Sequence, residues 1–244
     1  MHGLLMSDLY VLLRNKALRV LFGISVFMSL FSFFIWNRAY DAIYVVVALQ
    51  GDADALAMYL LFPAVAIVTS SIFYYGTAKN DIAYGVPRSW LYFSKLLLAL
   101  LVCLLLVVAY YLPAFIAAVL FNGFGKAEVA WHNIIIGIGA NFLVYTAFVS
   151  LGIFLVFLLK STSLAAVAFY VFVVIMAFFV PLVTVTDANV HILRAVDLFN
   201  GIRMTTRLGA LPTEFIVNIF VGVFLYNVLF ISIGVYSFGR SEIK

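Results

Sequence analysis

Long apolar runs without a charged residue dominate the pattern of the chain. Six of these runs come close to or exceed the roughly 20 residues that a helix needs to cross the hydrocarbon core of a bilayer. Arg19 can extend its charged end to the interface, which lets Leu18 join the first run. The pattern therefore predicts an all-α protein with six transmembrane helices, at about 18–36, 56–75, 96–121, 134–159, 161–186 and 215–239.

Composition also points to an integral membrane protein. The 244 residues are 67% hydrophobic and 10% charged, whereas soluble domains carry about 25% charged residues. The first apolar stretch is longer than the roughly 7 to 15 residues of a signal-peptide core, and no small-residue cleavage site follows Trp36. We therefore expect the first span to be retained as a transmembrane helix.

The positions of Lys and Arg predict the orientation of the spans. With the N-terminus inside, nine basic residues fall in inner segments and five in outer loops, in agreement with the positive-inside rule. Both termini are predicted to be cytoplasmic, and the net charge of +4 reflects membrane topology and not a nucleic-acid partner. The inner basic residues are Arg14, Lys16, Arg19, Lys79, Arg88, Lys95, Lys160, Arg240 and Lys244.

The segment before the first span, residues 1–17, has a pattern of its own. Four leucines recur at i, i+4, i+7 and i+8 from Leu5, whereas Asp8 and Arg14 fall off that stripe. This spacing is typical of an amphipathic helix that lies in the membrane interface. The alternative is a frayed leader whose basic residues only set the topology.

Apart from Arg19 at the edge of the first span, charged side chains and histidines are absent from all six apolar runs. Catalytic and ion-coupled membrane proteins generally keep such groups at depth despite their cost. We therefore predict no catalytic residue and no metal site within the membrane, and a secondary transporter is disfavoured. Asn141, Asn218 and Asn227 are expected to form interhelical hydrogen bonds, and the lone Cys103 is expected to pack.

The chain also lacks a sequence that binds nucleotide. A phosphate-binding P-loop needs a Gly-rich turn followed by Lys and then Ser or Thr. The Gly-Lys pair that begins at Gly125 lacks the preceding glycine, because Leu120 stands there, and Ala127 follows it. Any ATP hydrolysis is therefore predicted to occur on another chain.

A polar segment at 76–95, GTAKNDIAYGVPRSWLYFSK, interrupts the apolar pattern on the inner side. Thr77 can cap a short helix at 77–84, Gly85 suits a left-handed helix stop, and Pro87 prevents continuation. A helix of two turns is marginal in water, so lipid headgroups or a partner must hold it. Otherwise the segment is an ordinary loop.

The start of the third span lies within the same segment. Ser89 can cap this span, because its hydroxyl can accept from the first backbone amides. Trp90 and Tyr92 follow and are expected to anchor the span at the membrane interface.

The polar segment resembles the first cytoplasmic loop of permease subunits of ABC-2 type exporters. In that family a short helix is followed by a Gly-x-x-Arg turn and by a Lys at the next span, and Gly85, Arg88 and Lys95 match this pattern. Pro87 stands where the family more often has Ser or Thr. The ending FGRSEIK is similar to the family's aromatic-basic-acidic-Ile-Lys tail, with Glu242 in place of the commoner Asp.

The resemblance implies a homodimer, or a heterodimer with a second permease, that docks two ABC ATPase subunits in the bacterial cytoplasmic membrane. ATP and Mg²⁺ would bind to those ATPase subunits, and no cofactor would bind to this chain. The 77–84 helix would be the main coupling contact and the turn after the fourth span a smaller one. The residues implied in ATPase coupling are Thr77, Lys79, Asn80, Asp81, Tyr84, Gly85, Arg88, Lys160 and Ser161.

The outer segment at 187–214, between the fifth and sixth spans, is too apolar for a solvated loop. We expect it to dip back into the membrane or to pack on the spans. The resemblance implies an outer gate of short re-entrant helices, and a plain folded cap is the alternative. The residues of this outer gate are Ile192, Leu193, Phe199, Ile202 and Met204.

The function implied is that of a permease subunit in an ATP-driven exporter. A pathway without charge suits hydrophobic or amphipathic cargo, and the compact size and the loop motif are most similar to exporters of amphipathic peptides, such as phenol-soluble modulins or bacteriocins. Such a transporter would serve toxin export or immunity. The alternatives are an ABC exporter of lipid, glycan or drug, a structural or sensory subunit, and a lipid-modifying enzyme. For the enzyme, the only candidate residues are His132, His191, Asp187 and Asp197.

Overall fold

The computed structural model is helical in every regular element of the residues that it describes, which are 2–36, 41–51, 56, 59–74, 82–124, 131–179 and 213–240. The all-α prediction is confirmed for these residues. The helices are α1 (His2–Arg14), α2 (Lys16–Trp36), α3 (Ala42–Gly51), α4 (Leu61–Tyr74), α5 (Arg88–Asn122), α6 (Trp131–Leu159), α7 (Thr162–Val174) and α8 (Thr213–Arg240). A π-helical turn at Ile175–Phe179 extends α7.

Four of the described helices are long and apolar enough to cross a bilayer, and they contain Lys16–Ile35, Arg88–Asn122, Ile135–Leu159 and Phe220–Arg240. The second and fifth predicted spans coincide with the shorter apolar helices α4 and α7. The chain is thus an α-helical, multi-pass membrane protein. Six complete spans stay a prediction.

Helices α5 and α6 form the centre of the bundle. Helix α5 packs against α1, α2, α3, α4, α6 and α8, and α6 packs against α3, α4, α5, α7 and α8. The outward faces are apolar as well: Leu101, Leu104 and Leu105 of α5 are all exposed. This is expected where lipid rather than water covers the outside of the bundle.

Buried polar side chains join the helices to one another. Asn141 on α6 donates from Nδ2 to the Tyr111 hydroxyl on α5, at 3.3 Å. Asn227 on α8 donates to Thr146 Oγ1 on α6, at 3.0 Å, and accepts from the Ser150 hydroxyl. The predicted interhelical role is confirmed for Asn141 and Asn227, whereas the side chain of Asn218 lies outside the described part. Cys103 is buried, as expected for a packing residue.

Pro113 lies inside α5 and is compensated by a neighbouring helix. Proline disturbs the hydrogen-bond ladder of a helix, so nearby backbone groups need other partners. The amide of Ala114, directly after the proline, donates to Ser29 Oγ on α2 at 3.1 Å. Ser25, one turn earlier on α2, donates to the carbonyl of Leu106 at 3.3 Å. These bonds fix α2 against α5 at both sides of the proline.

Three features near the ends of the helices differ from the sequence prediction. Helix α3 lies where an outer loop was expected, and its Ala42, Val45 and Leu49 are fully buried. Ser89 does not cap the third span, because α5 begins at Arg88 after Pro87 and has no side-chain cap. The prediction that Tyr92 anchors the interface is also wrong, since this side chain is completely buried in the bundle.

Contacts between distant segments define two ends of the bundle. At one end, Lys95 pairs with Asp8 and the Phe157 ring contacts Phe238. At the other end, the amide of Ala42 donates to the carbonyl of Gly123. The Lys and Arg residues that the structure describes all lie toward the first end, which we call the basic end; they are Arg14, Lys16, Arg19, Arg88, Lys95, Lys160 and Arg240.

We predict that the basic end is cytoplasmic. Reporters fused after Ser161 or Lys244 should be active only inside the cell, and a reporter fused after Glu128 only outside, because the positive-inside rule orients the charge-rich end inward. Paired phosphatase and fluorescent-protein fusions would measure this. A cytoplasmic signal after Glu128 would contradict the assigned orientation.

Candidate docking site

Five of the nine residues implied in ATPase coupling lie in the described part, and all five belong to the basic end. They are Tyr84, Gly85, Arg88, Lys160 and Ser161. The other four, Thr77, Lys79, Asn80 and Asp81, lie outside the described residues. The same holds for the predicted outer-gate residues Ile192, Leu193, Phe199, Ile202 and Met204.

The first turn at the basic end, residues 82–87, is shaped by Gly85. This glycine has a φ of 84°, and its amide donates to the carbonyl of Ile82 at 3.0 Å. The predicted positive φ at Gly85 is therefore confirmed, whereas residues 77–81 of the helix that it was predicted to end lie outside the described part. The chain then passes through extended Pro87 into α5. Tyr84, directly before the glycine, is 89% exposed, so the turn presents an aromatic side chain at the surface.

Arg88 ties this turn to the end of α8. Its Nη1 donates to the carbonyl of Gly239 at 2.9 Å. The last carbonyls of a helix have no partner within the helix, and a cationic donor there also matches the helix dipole. Arg88 therefore fixes the first turn relative to the C-terminal end of α8.

The second turn, between α6 and α7, is a tight reversal at Lys160 and Ser161. Lys160 has a φ of 52°, which is uncommon for a residue other than glycine. Ser161 is the N-cap of α7, and its hydroxyl oxygen accepts from the amide of Leu164 at 3.4 Å. The sequence contains no signal for the left-handed conformation of Lys160, because lysine is not typical of this region.

Buried aromatic rings connect the two turns. Tyr92 on α5 packs against Phe157 on α6, with ring centroids 4.9 Å apart. Phe157 in turn packs edge-on against Phe238 on α8 at 4.7 Å. The ends of α5, α6 and α8 are therefore held together as one rigid unit. We call this unit, together with Tyr84 and the turn at Lys160, the docking face.

The chain matches no protein-family model and no curated protein. Among the described residues, no three His, Cys, Asp or Glu side chains come close enough to hold a metal ion. The four residues considered for an enzyme, His132, His191, Asp187 and Asp197, have side chains outside the described part.

The sequence did not predict the ion pair between Lys95 and Asp8. Lys95 Nζ lies 2.7 Å from Asp8 Oδ2, and Lys95 is almost completely buried. The pair joins α1 to α5, about two helical turns after the start of α5 at Arg88. The sequence held one indication that Asp8 has a specific partner, because Asp8 is the only acidic residue before Asp41.

Proposed function

We propose that the chain is the permease subunit of an ATP-driven ABC exporter. The observation that carries the proposal is the docking face, in which two separate turns present Tyr84 and Lys160 at the same end of the bundle. The charge at this end suits the cytoplasmic side, where an ATPase would lie. The chain itself would be a transport subunit and not an enzyme.

The packing offers a route by which such a partner could act on the whole bundle. The two turns stand at the ends of α5 and α6, which are the central helices. The Tyr92, Phe157 and Phe238 rings hold these ends together with α8. Because packed helix ends move as a unit, pressure on the turns would shift α5, α6 and α8 together.

The apolar interior favours hydrophobic or amphipathic cargo. The described side chains between the two ends include no Asp, Glu, Lys, Arg or His. The side-chain amides of Asn141 and Asn227 donate to side chains on neighbouring helices. Amphipathic peptides for export or immunity are the substrate class that we propose. Export of lipid, glycan or drug is the alternative.

A pair of glycine variants tests the docking face. Gly85 and Gly123 both have positive φ, of 84° and 79°, and a Cβ at either would meet no atom within 4 Å. Replacement by Val costs about 1–2 kcal/mol of local strain at a left-handed position such as Gly85. Gly123 lies at the opposite end, and its ψ of −179° places it in a region that is essentially restricted to glycine, so Gly123→Val is a control with at least as much local strain.

In complex with an ABC ATPase that co-purifies with the chain, Gly85→Val should lose most of its substrate-stimulated ATP hydrolysis and Gly123→Val should retain it. Both variants should reach the membrane at parental levels, since insertion depends on the spans. Hydrolysis should be measured in nanodiscs at equal amounts of complex. Equal stimulation in the two variants would contradict the proposal.

A further inference from the structure

A cleft of about 410 Å³ opens at the basic end between α1, α4 and α5. Leu12 and Ile67 contribute apolar lining, whereas Asp8, Arg14, Asn15 and Lys95 contribute polar groups. The cleft is separate from the two turns of the docking face. Its mixed lining indicates a ligand with both a polar and an apolar part.

Lys95 brings hydrogen-bond donors to this cleft. Its side chain is 5% exposed, and its ammonium group carries three N–H donors. Asp8 accepts one of them at 2.7 Å, and the described residues provide no other hydrogen-bond partner for this ammonium. Because a buried charge needs polar partners for all its donors, an acceptor in the cleft would stabilise Lys95.

Arg14 and Asn15 add further donors on the same side. The guanidinium of Arg14 lies over the Tyr10 ring at 4.5 Å, which leaves its N–H edges available for hydrogen bonds. The Asn15 oxygen accepts from the amide of Ala17 at 2.9 Å, so its NH₂ group remains to donate. With Lys95 and Arg14 against Asp8, the charge of the lining is +1. Such a set of donors matches the several oxygens of a phosphate.

The outer surface of α1 indicates where the apolar part of the ligand would lie. Met6, Tyr10 and Leu13 recur at i, i+4 and i+7 and are 54%, 56% and 63% exposed. Apolar side chains exposed along one face of a helix beside membrane spans are typical of contact with lipid. The cleft therefore opens next to a surface that acyl chains can cover.

We propose that this cleft binds the phosphate headgroup of an anionic phospholipid, whose acyl chains lie along the exposed apolar face of α1. Arg14, Asn15 and Lys95 donate to the phosphate oxygens, and Asp8 orients the Lys95 ammonium. This site goes beyond the proposed transport function and does not depend on it.

The test is native mass spectrometry of the full-length chain in detergent, titrated with phosphatidylglycerol or phosphatidylcholine. The parent should retain phosphatidylglycerol at least about tenfold more tightly than phosphatidylcholine, and Arg14→Gln should remove about tenfold of that affinity. Arg240→Gln is the matched control, because Arg240 also lies 4.5 Å over a tyrosine at the basic end but does not line the cleft. It should bind like the parent.

A second variant gives a change in the opposite direction. Asp8→Asn raises the charge of the lining from +1 to +2 and should tighten phosphatidylglycerol binding severalfold.

Equal losses of affinity in Arg14→Gln and Arg240→Gln would overturn the site in favour of general surface charge. Displacement of the lipid by glycerol 1-phosphate at equal concentration would overturn the lipid assignment and indicate a soluble phosphate instead. If Asp8→Asn does not fold, the comparison of Arg14→Gln with Arg240→Gln still tests the site.

Discussion

Asp8→Ala is expected to destabilise the lipid-free, detergent-solubilised chain by about 3–5 kcal/mol. The variant leaves the Lys95 ammonium, which is 5% exposed in the side chain, without its counter-charge at 2.7 Å. Truncating one partner of a buried ion pair is costly because the other charge remains desolvated. The free energy of unfolding can be measured by titration with SDS.

Two controls separate the ion pair from other effects of the substitution. Asp8→Ala combined with Lys95→Met removes both charges and should recover most of the lost stability, because a buried pair can often be replaced by apolar groups. Asp41→Ala removes an acid at the opposite end, directly before α3, and should cost no more than the roughly 0.5–2 kcal/mol expected for a residue at the start of a helix. A double variant as unstable as Asp8→Ala would show that the charge pair is not the cause.

Gly234→Ala should cost about 1–3 kcal/mol through overpacking. A Cβ at Gly234 would lie only 2.7 Å from Cζ and 2.8 Å from Cε2 of Tyr92. Tyr92 is completely buried and packs on Phe157, so it has little room to move. The expected loss can be followed by the same SDS titration.

Gly239 on the same helix is the matched position for this prediction. A Cβ there would meet nothing within 4 Å, so Gly239→Ala should leave stability unchanged or raise it by up to about 1 kcal/mol. Tyr92→Phe in the Gly234→Ala background should restore part of the loss, because it removes the hydroxyl nearest to the new methyl group. Similar stability for the two alanine variants would contradict the close approach of α5 and α8.

The sequence predicts the features that depend on local chemistry. The apolar runs identify the four long helices, because lipid tolerates few charges in a span. Gly85 is identifiable as a position of positive φ, because glycine adopts positive φ without a steric cost and proline follows closely. Asn141 and Asn227 are identifiable as interhelical partners, because a buried amide needs a partner.

Features that depend on tertiary contacts were missed. The burial of Lys95 within α5 was missed, because Asp8, which neutralises it, lies 87 residues earlier in the chain. A prediction that ends a span at every charged residue takes no account of a distant residue that neutralises the charge. Helix α3 was missed because its ten residues are too few for a span, although burial against α5 stabilises them.

The predicted docking residues illustrate the same limit. The sequence singles out Gly85, Arg88 and Lys160, but it does not reveal that Arg88 bonds to Gly239 across 151 residues. Nor does it reveal that Phe157 packs between Tyr92 and Phe238. These contacts join segments far apart in the chain, and only folding brings them to one end.

Site-directed cross-linking at Tyr84 tests the central proposal most directly. In a Cys103→Ala background, Tyr84→Cys should form a cross-link with an ABC ATPase that co-purifies with the chain, because Tyr84 is 89% exposed on the docking face. Phe124→Cys, 56% exposed at the opposite end, is the control and should form none. A cross-link from Phe124→Cys, or none from Tyr84→Cys in an intact complex, would contradict ATPase docking at the basic end.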